Sequence, residues 1–226
     1  MLTSEEQALV ARPWIYKYAA IDVWVSTQTE GARVSQLEKV GPIGRQLRDA
    51  ILRNPSARVL ACSTDDGYYG LFALFKGAAH VDIRDVGAHI PEHEGWHFEQ
   101  SRVVAKLKRL LGRCSFGAAN LFDLDGSYDI GSCTNVLEHM SDPQVALEKL
   151  RTLVRGSLVV HSPTVHPNKS GMLEISPEGR PWGSRFSHDD LVEMAVAAGW
   201  TVINERLKQM PEDWGLERRL SFLHLV

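Results

Sequence analysis

Short apolar runs alternate along this chain with longer stretches in which apolar residues recur every three or four positions. The short runs read as buried strands and the longer stretches as amphipathic helices. Strands are predicted at 58–62, 80–86, 114–119, 128–134 and 158–161. Helices are predicted between them, at 68–76, 96–111 and 143–155. Val103, Val104, Leu107, Leu110 and Leu111 recur at helical spacing in the second of these, and Val145, Leu147, Leu150 and Leu153 in the third. Gly77 is placed to stop the first as a left-handed residue, and Gly112 closes the second. Pro143 stands in a first turn behind Ser141 or Asp142 as cap. Strand alternating with helix predicts a parallel sheet joined by right-handed crossovers.

The ends of the chain depart from this rhythm. Ile43, Leu47, Ala50 and Ile51 share a face of a helix predicted over 43–53, which Gly41-Pro42-Ile43-Gly44 precedes and Asn54-Pro55 ends. Upstream, Thr3 or Ser4 can cap a first helix, with Glu5 and Glu6 in its opening turn, and Trp14, Tyr16, Tyr18 and Trp24 follow. Residues 1–54 are therefore expected to form a helical cap on a domain made by 55–226. After the fifth strand, 162–186 holds Pro163, Pro167, Pro177 and Pro181 and is expected to be a loop that serves as a lid or binding segment. Ser187-His188-Asp189-Asp190 then opens a helix that stops at Gly199. Two strands, 200–207 and 219–226, follow without a helix between them, which predicts an antiparallel hairpin. The expected fold is α/β: a mostly parallel sheet of about seven strands, a C-terminal antiparallel hairpin, and helices on both faces.

Bulk properties narrow the class. At 226 residues the chain suits one α/β domain with additions. A net charge of −3 gives no electrostatic footprint for nucleic acid. No apolar run approaches the ~18 residues that cross a bilayer, and the acidic N-terminus is no signal peptide. Cys62, Cys114 and Cys133 have no metal-ligand spacing, so no metal is expected, and they read as reduced thiols of a cytoplasmic protein.

The chemistry gathers around the first strand. Arg58–Cys62, a polar turn, and a helix from Tyr68 make the strand–turn–helix opening of a Rossmann-like nucleotide site. The turn lacks G-x-G-x-x-G: Gly67 and Gly70 remain, while Ser63 and Asp65 stand where earlier glycines are sought.

The series resembles the class I S-adenosylmethionine-dependent methyltransferases. Val59-Leu60-Ala61-Cys62-Ser63-Thr64-Asp65-Asp66-Gly67-Tyr68-Tyr69-Gly70 is similar to that family's V-L-D-x-G-C-x-x-G-Y-x-G, and Asp85 ends the second strand as the family's ribose-binding acid does. Tyr128-Asp129-Ile130 through Asn135-Val136-Leu137-Glu138-His139 resembles its fourth strand and the residues beyond, and Phe186–Leu191 with Ala198-Gly199-Trp200 its late helix and sixth strand. The resemblance implies an S-adenosylmethionine site built from Ala61, Cys62, Ser63, Asp65 and Tyr68 at the turn. It assigns Asp85 and Val86 to the ribose, with Asp82 as the rival acid, Asn120 and Leu121 to the adenine, and Asn135 to the end of the fourth strand. His139 is the candidate base, because histidine titrates near neutrality. His161, His166, Trp182 and Arg185 are candidates for contact with a small-molecule substrate. Two departures stand out: Ala61 replaces the acid that orders the cofactor's amino end, and Ser63 replaces a glycine. The expected function is O- or N-methylation of a small-molecule or sugar-like acceptor. The alternative those departures motivate is a methyltransferase fold that binds a partner protein without catalysis. A nicotinamide-dependent oxidoreductase is disfavoured by the missing G-x-G-x-x-G and the terminal hairpin.

Overall fold

The structure, a computed structural model, describes residues 3–10, 30–63, 67–86, 96–107, 109–167, 172–175, 181–209 and 219–226. The five predicted strands form β1 (Arg58–Ser63), β2 (His80–Asp85), β3 (Cys114–Ala118), β4 (Tyr128–Thr134) and β5 (Val154–Thr164). A short hairpin, β6 (Met172–Ile175) and β7 (Pro181–Arg185), is followed by β8 (Val202–Gln209) and β9 (Arg219–Leu225). The main sheet runs β3-β2-β1-β4-β5-β9-β8, its first five strands parallel and β9 antiparallel to both neighbours. The helices are α1 (Ser4–Val10), α2 (Glu30–Arg53), α3 (Tyr68–Phe75), α4 (Trp96–Leu107), α5 (Pro143–Leu153) and α6 (His188–Ala197). This is the Rossmann-like α/β sheet with a C-terminal antiparallel pair that the sequence pattern predicts.

Alternation along the strands divides the core in two. On one face, Ile43, Leu47, Tyr69 and Phe72 pack over Val59, Ile83, Val159 and Phe222. On the other, Leu147, Leu150, Leu191 and Ala195 pack over Leu60, Cys133, Val160 and Leu223. Local chemistry sets the helix starts: Ser187 and Asp190 form a reciprocal capping box at α6, and Asp142 accepts from the Val145 N–H ahead of Pro143 at α5. Thr3 and Glu6 exchange hydrogen bonds at α1, and Glu6 reaches Lys106 on α4 at 2.5 Å.

Two elements differ from the sequence expectation. The helix expected over 43–53 is the second half of α2, which is continuous from Glu30 with Pro42 inside it. A proline in a helix interior costs about 3 kcal/mol. Pro42, Ile43 and Gly44 are all buried here, and Gly44 lets the Phe72 ring lie directly on the helix backbone, where an added Cβ would be 3.3 Å from it. Packing on the sheet offsets the local penalty. The second difference is in 162–186, where β5 runs on to Thr164 and the hairpin β6–β7 follows in place of an irregular loop.

No α-helix lies between β3 and β4; a 3-10 turn, Leu121–Asp123, makes the connection. On the sheet face opposite α3 a polar cluster centres on Asp82, 3% exposed. Its carboxylate accepts from Arg58 Nη2 at 2.8 Å and from the Ser115 hydroxyl, with His80 Nε2 at 3.2 Å and Arg84 Nη2 at 3.4 Å. Burial by itself would raise the Asp82 pKa. The donors Ser115, Arg58 and Tyr128, with the charge on Arg84, outweigh it and hold the group at about 2.

Candidate functional site

Parallel pairing brings the carboxyl ends of four strands level. Asp85 lies in register with Ser63, Ser63 with Thr134, and Thr134 with His161. At about 4.8 Å between neighbouring strands, the row is roughly 15 Å long. Strand alternation puts these side chains on the α2–α3 face, the face that also carries Ala61. The strand ends are tied by backbone bonds: Val86 N–H to the Ser63 carbonyl (3.0 Å), Ala119 N–H to Asp85 (3.0 Å) and Asn135 N–H to His161 (3.1 Å). Asp85 is 2% exposed, an acid enclosed at the ligand end of the sheet. Here β1 has β2 on one side and β4 on the other, the switch point outside which open α/β sheets take their ligands.

The turn between β1 and α3 keeps glycine where glycine is needed. Gly67, at φ 72°, caps α3 in the left-handed region, and a Cβ there would lie 2.9 Å from Ile83. Gly70 brings α3 onto the sheet, where a Cβ would lie 2.5 Å from Ile83 and 3.1 Å from the Ala61 methyl. Tyr68 opens the helix and is buried, its ring edge-on to Tyr69 at 5.3 Å. Asp65, in the 64–66 segment, lies outside the described residues.

The remaining predicted residues separate into several groups. Cys62 alternates to the far face and is buried beside Cys133, and burial raises its thiol to about 12. Val86 and Leu121 are likewise buried in that core, so any ligand contact from them runs through the backbone. Asn120 is exposed, and its Oδ1 accepts the Phe122 N–H at 3.1 Å, leaving one lone pair. His161 is fully buried with its ring 5.0 Å from Phe222, whereas His166 is exposed beyond the end of β5.

After β4 the chain turns through Asn135, held left-handed at φ 54°, into the 3-10 turn Leu137–His139. His139 is half-buried there. The adjacent Glu138 carboxylate accepts the Ser162 hydroxyl at 2.7 Å. Strand β7 is seated on this turn: a Cβ at Gly183 would overlap the Glu138 carbonyl oxygen, and Ser184 Oγ donates to the Met140 carbonyl at 3.0 Å. The strand that carries Trp182 and Arg185 is thereby fixed beside His139; the Trp182 side chain lies outside the described residues. A second polar row, Glu205–His188–Ser221–Thr164, joins α6, β8, β9 and β5, with His188 Nδ1 3.0 Å and Thr164 Oγ1 2.9 Å from Ser221 Oγ. Ser221 is fully buried, so this row ties elements together and offers no nucleophile.

Sequence reasoning missed Ser132 and Thr134. Both hydroxyls are buried and have no hydrogen-bond partner among the described residues, a state that costs about 1–3 kcal/mol each. No local signal marks them, because the missing partner is a property of the assembled sheet.

The sequence matches no protein-family model and no curated protein. Solved structures do resemble it. The N-terminal domain of EvdMO1, crystallised in the presence of SAH and D-fucose, superposes with a TM-score of 0.66 at 13% identity, over 98% of this chain and 93% of that one. Magnesium protoporphyrin IX methyltransferase (ChlM) from Synechocystis PCC 6803 with bound SAM gives 0.64 at 14%, over 99% and 91%. The [4+2]-cyclase SpnF gives 0.61 at 14%, over 80% and 79%. The fold is that of the class I S-adenosylmethionine-dependent methyltransferases.

Proposed function

We propose that this chain is an S-adenosylmethionine-dependent methyltransferase acting on oxygen or nitrogen of a small-molecule or sugar-like acceptor. The observation that carries the reading is the row Asp85–Ser63–Thr134 at the switch point of the sheet, with an enclosed acid at the end of β2. The similar structures with bound SAM or SAH, one of them also determined in the presence of D-fucose, support it.

The residues present fit that cofactor. Asp85 accepts hydrogen bonds from a ribose diol, as an acid at this position does in dinucleotide folds. The Leu121 N–H and the free lone pair of Asn120 suit an adenine edge. Buried hydroxyls without partners among the described residues stand ready on the same face as Ala61. When bound, S-adenosylmethionine supplies an electrophilic methyl group on a sulfonium. His139, held in its turn beside β7, takes the proton from the acceptor as general base. The hairpin β6–β7, with Arg185, orients the acceptor and keeps water away, so alignment supplies much of the rate.

With Ala61 and Ser63 in place of the usual motif, a binding protein without methyl transfer is the alternative. Calorimetric titration with S-adenosylmethionine separates the two. Micromolar binding is expected, and Asp85→Ala should weaken it at least about tenfold, the loss of a hydrogen bond to a charged group. No heat and no thermal shift at millimolar ligand would sink the enzyme reading; unchanged affinity in the variant would remove Asp85 from the ribose.

A further inference from the structure

Ser132 and Thr134 stand two residues apart on β4 and so face the same way. Ser132 is in register with Ala61, and Thr134 with Ser63. These are the two β1 positions where the sequence departs from the pattern it resembles. On β1 itself position 61 offers only a methyl group, which lies close under Gly70 of α3, where an added Cβ would be 3.1 Å from it. One strand over, at the same level and on the same face, two fully enclosed hydroxyls lack a partner among the described residues. Native cores leave few such groups, and alanine or valine would fill these volumes with nothing left unsatisfied.

We propose that Ser132 and Thr134 hold the amino-carboxylate tail of S-adenosylmethionine, replacing from β4 the acid that β1 lacks. The proposal rests on the methyltransferase reading above. Each hydroxyl has one donor and two acceptor lone pairs, so the pair can accept from the ammonium and donate to the carboxylate of a zwitterionic tail. An acid attracts only the first of these charges and repels the second. A neutral pair also leaves no uncompensated charge in the core before the ligand arrives.

The test is calorimetric titration with S-adenosylhomocysteine and with 5′-methylthioadenosine, which lacks the tail, alongside thermal unfolding without ligand. Ser132→Ala and Thr134→Val should each bind S-adenosylhomocysteine about tenfold more weakly or worse, the loss of a hydrogen bond to a charged group. Both should bind methylthioadenosine as the wild type does. Unliganded, both should melt at the wild-type temperature or above it, since an unsatisfied buried group has been removed. Thr134→Ser, which keeps the hydroxyl, should retain affinity to within roughly threefold. Unchanged affinity for S-adenosylhomocysteine in both variants overturns the proposal, as does an equal loss for both ligands. A wild type that binds neither ligand overturns the methyltransferase reading itself, a result distinct from variants that bind as well as wild type.

Discussion

His139 and Asn135 are neighbours in sequence with different duties. Asn135 accepts a left-handed backbone, at about 1–2 kcal/mol for a residue with a Cβ, so that the chain can leave β4 and double back. Asn is among the residues that tolerate this. The turn it starts presents His139 half-buried, next to a Glu138 carboxylate already engaged by Ser162. With a small-molecule acceptor identified by screening, His139→Ala should lower turnover by roughly 10²–10⁴, the span of general base catalysis. Affinity for S-adenosylhomocysteine should change little, and retained turnover would remove His139 from the mechanism. At this scale the sequence was only partly legible. An acid closing a strand stands out, which makes Asp85 a candidate from the sequence alone. Ser132 and Thr134 look like ordinary strand residues until their neighbours are known, and Asn120 reads equally as a ligand contact or as the cap it forms.

Among elements, the hairpin β6–β7 is fixed by its seat on the Leu137–His139 turn. Its junction with the Leu137–His139 turn has backbone against backbone at Gly183, so neither side can yield by rotating a side chain. Gly183→Ala should lift the hairpin from that turn at a cost of about 1–3 kcal/mol. Faster amide hydrogen exchange in 137–140 and 181–185, with cofactor affinity retained, is the expected signature; unchanged exchange would mean that the hairpin does not depend on this junction. Elements with strong periodicity, such as α5 and β1–β5, were legible from the sequence. The continuity of α2 was not, since Gly41-Pro42 is a local stop signal that only contact with Phe72 and the sheet overrides. Four prolines disguised the hairpin in the same way, because punctuation of this kind ordinarily marks irregular chain.

For the molecule as a whole, acid should act in two stages. Burial lowers the His224 pKa below 6.5, Arg53 adds to the effect and Asp49 opposes it. A histidine that resists protonation when folded contributes stability that is complete above pH 6.5 and is lost as the pH falls below it. Asp82 behaves likewise at lower pH: its contribution is complete above 3.8 and disappears towards 2. Thermal melts should therefore decline modestly from pH 7 to about 5 and again, more steeply, below about 4. His224→Leu should flatten the first stage alone; an unaltered first stage would assign it to other histidines. The second stage falls on β1–β4, which the ion cluster around Asp82 ties together.

The insertion of β9 between β5 and β8 also fixes an order of events during synthesis. Leu158, Val159 and Val160 form the apolar middle of β5, and one edge of that strand is satisfied over 158–164 by residues 219–225. Until those residues have left the ribosome, β5 has β4 alone for a neighbour and its other edge is open to strands of other chains. The sheet can therefore close only when this late segment arrives, and β8, whose one partner strand among the described residues is β9, must wait for it as well.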